Sequence, residues 1–303
     1  MEYALLVLSI FLGGLRSVIT KIVNKGSNSY FAIKTNAWMF LVAFIVVLLT
    51  GITEISTMFS VPWWLTIVYA ICMVMAQVCL MKAVELGPVS ISSLIYYCGL
   101  IIALLFGCIY YREAVNALHI LGVVLILGSF FLSVKKDNQK FSVVWAIMAF
   151  GGFFFGGLMG VWQKIFRYEY VQYSSENFIQ ASFLLMVIFS FIIVLFSNFK
   201  QVLSAKNIVG QKEVRRTVEN KFKKIGLIIS LGVAMALINV INVYLSGVLP
   251  TIIVFPCIYG GGIIASSLLS AWICKEKSTT SQKISMAVGI VGIVLIGVGS
   301  MLL

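Results

Sequence analysis

One basic residue, Arg16, stands inside a long apolar stretch near the start of the 303-residue chain. A charge within a membrane-spanning segment is costly and is therefore a candidate for function. Helical spacing places Gly13, Ser17 and Thr20 on the same face as Arg16. A guanidinium offers forked donors that match a carboxylate or a phosphate. The sequence predicts a fixed positive charge for an anionic group, and the alternatives are a bond to a backbone carbonyl or a side chain that reaches the membrane surface.

Further polar side chains lie within apolar segments and are predicted to line a central cavity together with Arg16 and Thr20. Amides and phenols can bind polar groups of a solute while their apolar atoms fill space. Each of them could instead form a hydrogen bond between two helices. The remaining candidates for substrate binding are Asn36, Gln77, Tyr96, Tyr97, Gln163, Gln180, Asn239, Asn242 and Tyr259.

The segments that carry these residues belong in a membrane. Hydrophobic residues make up 61% of the chain and charged residues 11%, with a mean hydropathy of +1.07. Apolar runs recur, each close to the roughly 20 residues that a helix needs to cross a bilayer. No basic segment precedes the first run, so a cleaved signal peptide is not expected. The sequence predicts an all-α polytopic membrane protein with ten transmembrane helices, at about 3–24, 31–50, 63–84, 88–110, 117–134, 142–165, 176–197, 225–246, 250–273 and 283–302.

An internal repeat organises these helices. Residues 11–23 and 154–166 are identical at seven of thirteen positions, although Arg16 is replaced by Met159 in the second copy. Later positions also match, at a larger offset, among them Tyr96 with Tyr259 and Glu113 with Glu276. The sequence thus predicts two five-helix repeats, 1–137 and 138–303. Because five is odd, the second repeat should be inverted, as in many secondary transporters whose substrate site lies between the halves.

The two offsets differ because a basic segment at about 200–224 is inserted in the second repeat. This segment is interpreted either as an amphipathic helix on anionic lipid headgroups or as a solvated linker.

The net charge of +12 is interpreted as membrane topology rather than as nucleic-acid binding. Eighteen of the 22 Lys and Arg residues lie in or beside the loops that follow the odd-numbered spans. These loops should be cytoplasmic, with both termini outside. A C-terminal reporter that works only in the cytoplasm should therefore stay silent.

Several kinds of chemistry have no residues to support them. The six cysteines show no metal-ligand spacing, and no catalytic triad or zinc-protease motif is present. We therefore expect no enzyme activity, no metal and no cofactor. The glycines at 13–14 and 260–262, and those at four-residue spacing in 152–160, are interpreted as sites of close helix packing, with a helix break as the alternative.

The order of these features resembles that of the drug/metabolite transporter (DMT) superfamily, specifically its EamA-type ten-helix transporters. The resemblance covers nearly the whole chain. It includes Gly-Gly followed by Lys in the first helix of each repeat and a Glu just after the fourth. A Gln six residues beyond the second Glu also fits, but the first copy has His there. The residues concerned are Gly13, Gly14, Lys21, Gly156, Gly157, Lys164, Glu113, Glu276, His119 and Gln282, while Gly99 and Gly262 stand where the family often has Pro.

This resemblance implies a secondary-active transporter in the plasma membrane that moves small metabolites by alternating access, often outward. It also implies a cavity ringed by spans 1, 3, 4, 6, 8 and 9. Related four-helix exporters carry a membrane Glu that suits cationic drugs, whereas this chain has Arg16, which favours an amino acid or another solute with an anionic group. The alternatives are a sensory or assembly subunit that does not transport, and a multidrug or lipid exporter.

Overall fold

The computed structural model describes residues 1–24, 29–49, 59–87, 89–132, 142–205, 219–275 and 279–302. Within these ranges the chain forms helices and no strands. The helices, in chain order, are α1 (Glu2–Asn24), α2 (Ser29–Leu49), α3 (Trp63–Leu86), α4 (Val89–Cys98), α5 (Leu100–Tyr110), α6 (Ala117–Leu132), α7 (Val143–Glu169), α8 (Ser175–Ala205), α9 (Glu219–Val248), α10 (Thr251–Ile273) and α11 (Thr280–Met301).

These helices confirm the predicted all-α membrane fold. Among the described residues, nine helical segments are long and apolar enough to cross a membrane, and α6 is a shorter apolar helix of 16 residues. Helices suit a lipid environment because they satisfy every backbone polar group internally. The fourth span consists of α4 and α5, which meet at Gly99.

The largest differences in helix bounds lie around the basic insertion. Helix α8 continues to Ala205, beyond the predicted end at 197, and α9 begins at Glu219, before the predicted start at 225. Both ends continue into polar sequence because a helix need not end where the bilayer does. Residues 206–218 lie outside the described residues, as does Glu276. The structure therefore does not decide between the two interpretations of the insertion.

The packing of the helices has the symmetry of the two predicted repeats. If each helix is replaced by its counterpart in the other repeat, one packed pair becomes another packed pair. Helix α3 packs along α7 as α1 packs along α9, and α2 packs on α9 as α8 packs on α3. Helices α2 and α8 pack on each other, as do α6 and α11. Two structurally related halves would produce this pattern, while the inverted repeat itself stays a prediction.

Close contacts between helices also give their relative directions. Ile10 and Gly14 of α1 lie against Gly261 and Ala265 of α10, so these two helices run parallel. Helix α10 runs antiparallel to α7, because its residues 255 and 259 meet residues 160 and 156 of α7. The first helices of the two predicted repeats therefore run in opposite directions.

A candidate binding cavity between the helices

A cavity of about 1100 Å³ lies at the centre of the bundle. Its walls come mainly from α1, α3, α4, α7, α9 and α10, which are the spans that the family resemblance implies, and Ala32 of α2 adds to them. Nine of the eleven predicted binding residues line it. They are Arg16, Thr20, Gln77, Tyr96, Tyr97, Gln163, Asn239, Asn242 and Tyr259.

Arg16 lies half-buried in the cavity wall among tyrosines. Its guanidinium interacts electrostatically with the phenols of Tyr96, Tyr97 and Tyr259. The ring centroids of Tyr97 and Tyr259 are 6.2 Å apart, and those of Tyr96 and Tyr97 are 5.6 Å apart. In the described part of the chain, no carboxylate forms an ion pair with Arg16. The cavity therefore presents a positive charge that no acidic side chain in that part neutralises.

Two of the predicted residues, Gln163 and Asn239, belong to a buried hydrogen-bond network. The Nε2 atom of Gln163 donates to the Tyr69 hydroxyl oxygen at 2.9 Å, and that hydroxyl donates to Oδ1 of Asn239, also at 2.9 Å. Asn239 in turn donates to the carbonyl of Met235. This network joins α3, α7 and α9. The amides thus already hold helices together, as the alternative interpretation expected, and they also face the cavity.

Asn242 makes a comparable link between α1 and α9. The Ser9 hydroxyl donates to Oδ1 of Asn242 at 2.6 Å. Ser9 and Tyr69 were not among the predicted residues. A lone hydroxyl in an apolar helix carries little sequence signal, because it can satisfy itself on its own helix.

Two predicted binding residues do not line the cavity. Asn36 of α2 is buried and donates to the Met81 sulfur at 3.4 Å, and Gln180 of α8 is fully buried away from the cavity. Helices α2 and α8 pack against each other, and of the two only α2 reaches the described cavity wall, through Ala32. Both helices are apolar on all sides, so their sequences do not show which face points inward.

Judged from the described residues, the cavity has an open end and a closed end. Lys21, Ile22 and Glu85, at the C-terminal ends of α1 and α3, line it and are exposed. At the opposite end its lining residues, including Ser9, Gln163 and Phe255, are buried. A solute could therefore enter from the side of the loops that follow α1, α3 and α10.

A buried ion pair lies beyond the closed end. The ammonium of Lys164 on α7 lies 2.7 Å from Oε1 of Glu113, which follows α5, and the two side chains are 0% and 8% exposed. Oε2 of Glu113 accepts hydrogen bonds from the backbone N–H and the hydroxyl of Thr251, at the start of α10. Lys164 also donates to the carbonyl of Leu249 at 3.3 Å. This cluster ties both predicted repeats together across the closed end.

The Glu113–Lys164 contact was not predicted, although both residues belong to the repeat motifs. The repeat pattern showed that each repeat carries a Lys and a Glu. It did not show that the Glu of the first repeat pairs with the Lys of the second.

Nearby, the Tyr111 hydroxyl donates to Glu169 at 3.2 Å. Burial, and then the neighbouring Glu169 carboxylate, raise the pKa of Tyr111, so its phenol stays protonated and remains a donor.

The glycines mostly serve helix packing. A Cβ atom on Gly157 would lie 2.5 Å from the carbonyl oxygen of Gly99, and one on Gly14 would lie 2.6 Å from the Cβ of Ala265. Helices α1, α7 and α10 continue through their glycines without a break. For the glycines of these three helices, close packing is therefore the better interpretation. Gly99 is different, because it lies at the break between α4 and α5.

One known family is similar to the first part of the chain. The EamA-like transporter family matches residues 1–135, which closely coincide with the first predicted repeat. Residues 1–135 are therefore similar to the EamA-like transporter family, and this match covers just under half of the chain. The family supports a membrane transporter of the DMT type, and since its members are transporters, the match agrees with the prediction that the chain is not an enzyme.

A solved structure extends the similarity in fold to the whole chain. This protein, titled "Crystal structure of protein", superimposes with a TM-score of 0.72, at 13% sequence identity, over 98% of this chain and 97% of its own. At this identity the likeness concerns the fold alone. No curated protein matches the chain.

Gln282, a residue of the EamA resemblance, forms a capping box with Thr279 at the start of α11.

Proposed function

We propose that this EamA-like protein is a secondary-active transporter that exports small metabolites bearing a carboxylate or a phosphate, by alternating access. Amino acids and organic acids are the favoured solutes. The family supports the transporter class. The solute class rests on the charge of the cavity, and the direction rests on where the cavity opens.

The single observation that carries the solute class is the guanidinium of Arg16 in the cavity wall, which pairs with no carboxylate in the described ranges. At the mouth, the carboxylate of Glu85 lies 2.9 Å from the ammonium of Lys82, which balances its charge. Lys21 lines the same mouth. A cavity of this charge attracts anionic groups and repels cations, because low-dielectric walls strengthen its field.

The open end of the cavity favours export. It lies on the side of the loops that the distribution of Lys and Arg assigns to the cytoplasm. A cytoplasmic metabolite could therefore reach Arg16 directly. Release would require the closed end to open, which is the second half of an alternating-access cycle.

A thermal-shift screen of the purified protein tests the solute class. The probes are L-amino acids, dicarboxylates, phosphorylated metabolites and cationic amines. A ligand that binds the folded state raises the melting temperature by mass action. We expect anionic-group probes to raise it in the wild type and to lose this effect in Arg16→Gln, while Lys34→Gln, which removes an exposed charge outside the cavity, responds as the wild type does. Stabilisation by cationic amines alone, or an unchanged response of Arg16→Gln, would refute the proposal.

A further inference from the structure

Two glycines in the cavity wall have open space where a side chain would stand. Gly13 of α1 and Gly262 of α10 both line the cavity. A Cβ atom built on either glycine meets no atom within 4 Å. Both lie inside continuous helices with ordinary helical backbone. Neither packing nor backbone conformation in this structure therefore requires glycine at these positions.

Neighbouring glycines make the contrast clear. Gly160 also lines the cavity, but a Cβ there would lie 2.8 Å from the Cβ of Ala103 and from the ring of Phe255. The repeat counterparts of the two open glycines are packed as well. A Cβ on Gly156 would lie 3.2 Å from the Tyr96 ring, and one on Gly99 would lie 2.6 Å from the carbonyl oxygen of Phe153.

The two open glycines lie beside the groups that surround the guanidinium. Gly13 precedes Arg16 by three residues and so lies on the same face of α1. Gly262 follows Tyr259 by three residues on α10, and the phenol of Tyr259 interacts electrostatically with Arg16. The missing side chains thus leave space on two walls, close to where an anionic group would bind.

We infer that Gly13 and Gly262 set the size of the substituent that a solute can carry on the carbon next to its anionic group. The inference rests on the proposed function and narrows its solute class to α-substituted acids, such as amino acids with side chains. A side chain at either position fills the space that this substituent occupies. It does not alter the guanidinium of Arg16, so the anionic group keeps its binding partner.

Thiol labelling at position 16 measures this space without any knowledge of the natural solute. An Arg16→Cys variant of the full chain is treated with methyl, ethyl and benzyl methanethiosulfonate, and modification of the peptide that contains position 16 is followed by mass spectrometry. The rates are compared after adding Gly13→Val, Gly262→Val or Gly128→Val. Gly128 is the matched control, because it also has open space around its Cβ position but does not line the cavity.

We expect Gly13→Val and Gly262→Val to slow the benzyl reagent at least tenfold relative to the methyl reagent, whereas Gly128→Val leaves the ratio unchanged. An unchanged ratio in the two cavity variants would overturn the inference. Equal slowing of all three reagents would overturn it too, because the glycines would then control entry to the whole cavity. Melting temperatures of the valine variants show that they are folded, and Gly13→Ala and Gly262→Ala provide milder versions of the same test.

Binding then separates this inference from the proposed function. In the wild-type background, Gly13→Val should weaken binding of the largest stabilising amino acid at least tenfold and that of the smallest less than about twofold. If no anionic probe stabilises the wild type, the proposed function fails. The ratio of the benzyl to the methyl labelling rate still tests whether the two glycines control the space beside position 16. If anionic probes bind but the ratio does not change, only the inference about the glycines fails.

Discussion

At the scale of single residues, Arg16 determines the character of the cavity. A guanidinium within the membrane needs polar surroundings, and the phenols of Tyr96, Tyr97 and Tyr259 contribute to them. None of these groups carries a full negative charge near neutral pH. The environment therefore solvates the charge without cancelling it, and an anionic solute can complete the pairing.

The hydroxyl of Tyr69 gives a prediction about stability at this scale. Tyr69→Phe removes the oxygen that accepts from Gln163 and donates to Asn239. Leaving buried groups without partners costs about 1–3 kcal/mol, so the melting temperature of the purified protein should fall. The stacking of the ring against Phe178 is retained, so the loss reports the hydrogen bonds.

Tyr3→Phe is a suitable control, because Tyr3 is 53% exposed and should tolerate the change without loss. If Tyr69→Phe melts with the wild type, the network does not hold the three helices together.

Nine of the eleven residues predicted from the sequence line the cavity, because polar atoms in apolar helices are conspicuous. Arg16, Gln77, Gln163 and Asn239 all line the cavity as predicted. The sequence also predicted that Asn36 and Gln180 line the cavity, and they do not. In a helix that is apolar on all sides, a polar residue does not show which face points toward the cavity. Tyr69 was missed because a buried tyrosine looks like an ordinary core aromatic until its partners are known.

At the scale of helices, the cluster at the closed end connects the end of α5, helix α7 and the start of α10. Its Glu113 carboxylate and Lys164 ammonium are both buried. Removing one partner of a buried ion pair costs roughly 3–5 kcal/mol, because the other charge is left uncompensated. Glu113→Gln should therefore lower the melting temperature strongly.

The exposed pair Lys82–Glu85 supplies a matched control with a similar separation of 2.9 Å. Because surface ion pairs contribute about 0–1 kcal/mol, Glu85→Gln should change the melting temperature little. The double variant Glu113→Gln, Lys164→Met should recover part of the loss. Equal effects of Glu113→Gln and Glu85→Gln would show that the buried cluster does not stabilise the closed end.

The helix bounds themselves were largely predictable. Spans of about 20 apolar residues leave few ways to divide the chain, and the predicted bounds of the first span, 3–24, differ little from those of α1. The extensions of α8 and α9 into the insertion were not predictable from hydropathy. A helix that leaves the bilayer keeps its hydrogen bonds but loses its apolar signature.

At the scale of the whole molecule, helices of both predicted repeats line the cavity, whose described lining is exposed at one end and buried at the other. Replacing each helix by its counterpart in the other predicted repeat turns one packed pair into another, and α1 and α7 run in opposite directions. Under the proposed alternating-access cycle, the two predicted repeats would present the same site to either side of the membrane in turn. Arg16 breaks the symmetry of the halves, since Met159 is its counterpart, so one half supplies the charge of the site.

Transport into proteoliposomes tests the central claim most directly. The probe is the carboxylate that stabilises the purified protein most strongly, supplied with a radiolabel. We predict saturable, protein-dependent movement of this probe in the wild type and a loss of at least tenfold in Arg16→Gln, with Lys34→Gln unaffected. Movement no faster than in protein-free liposomes, or equal rates in the wild type and Arg16→Gln, would contradict the account.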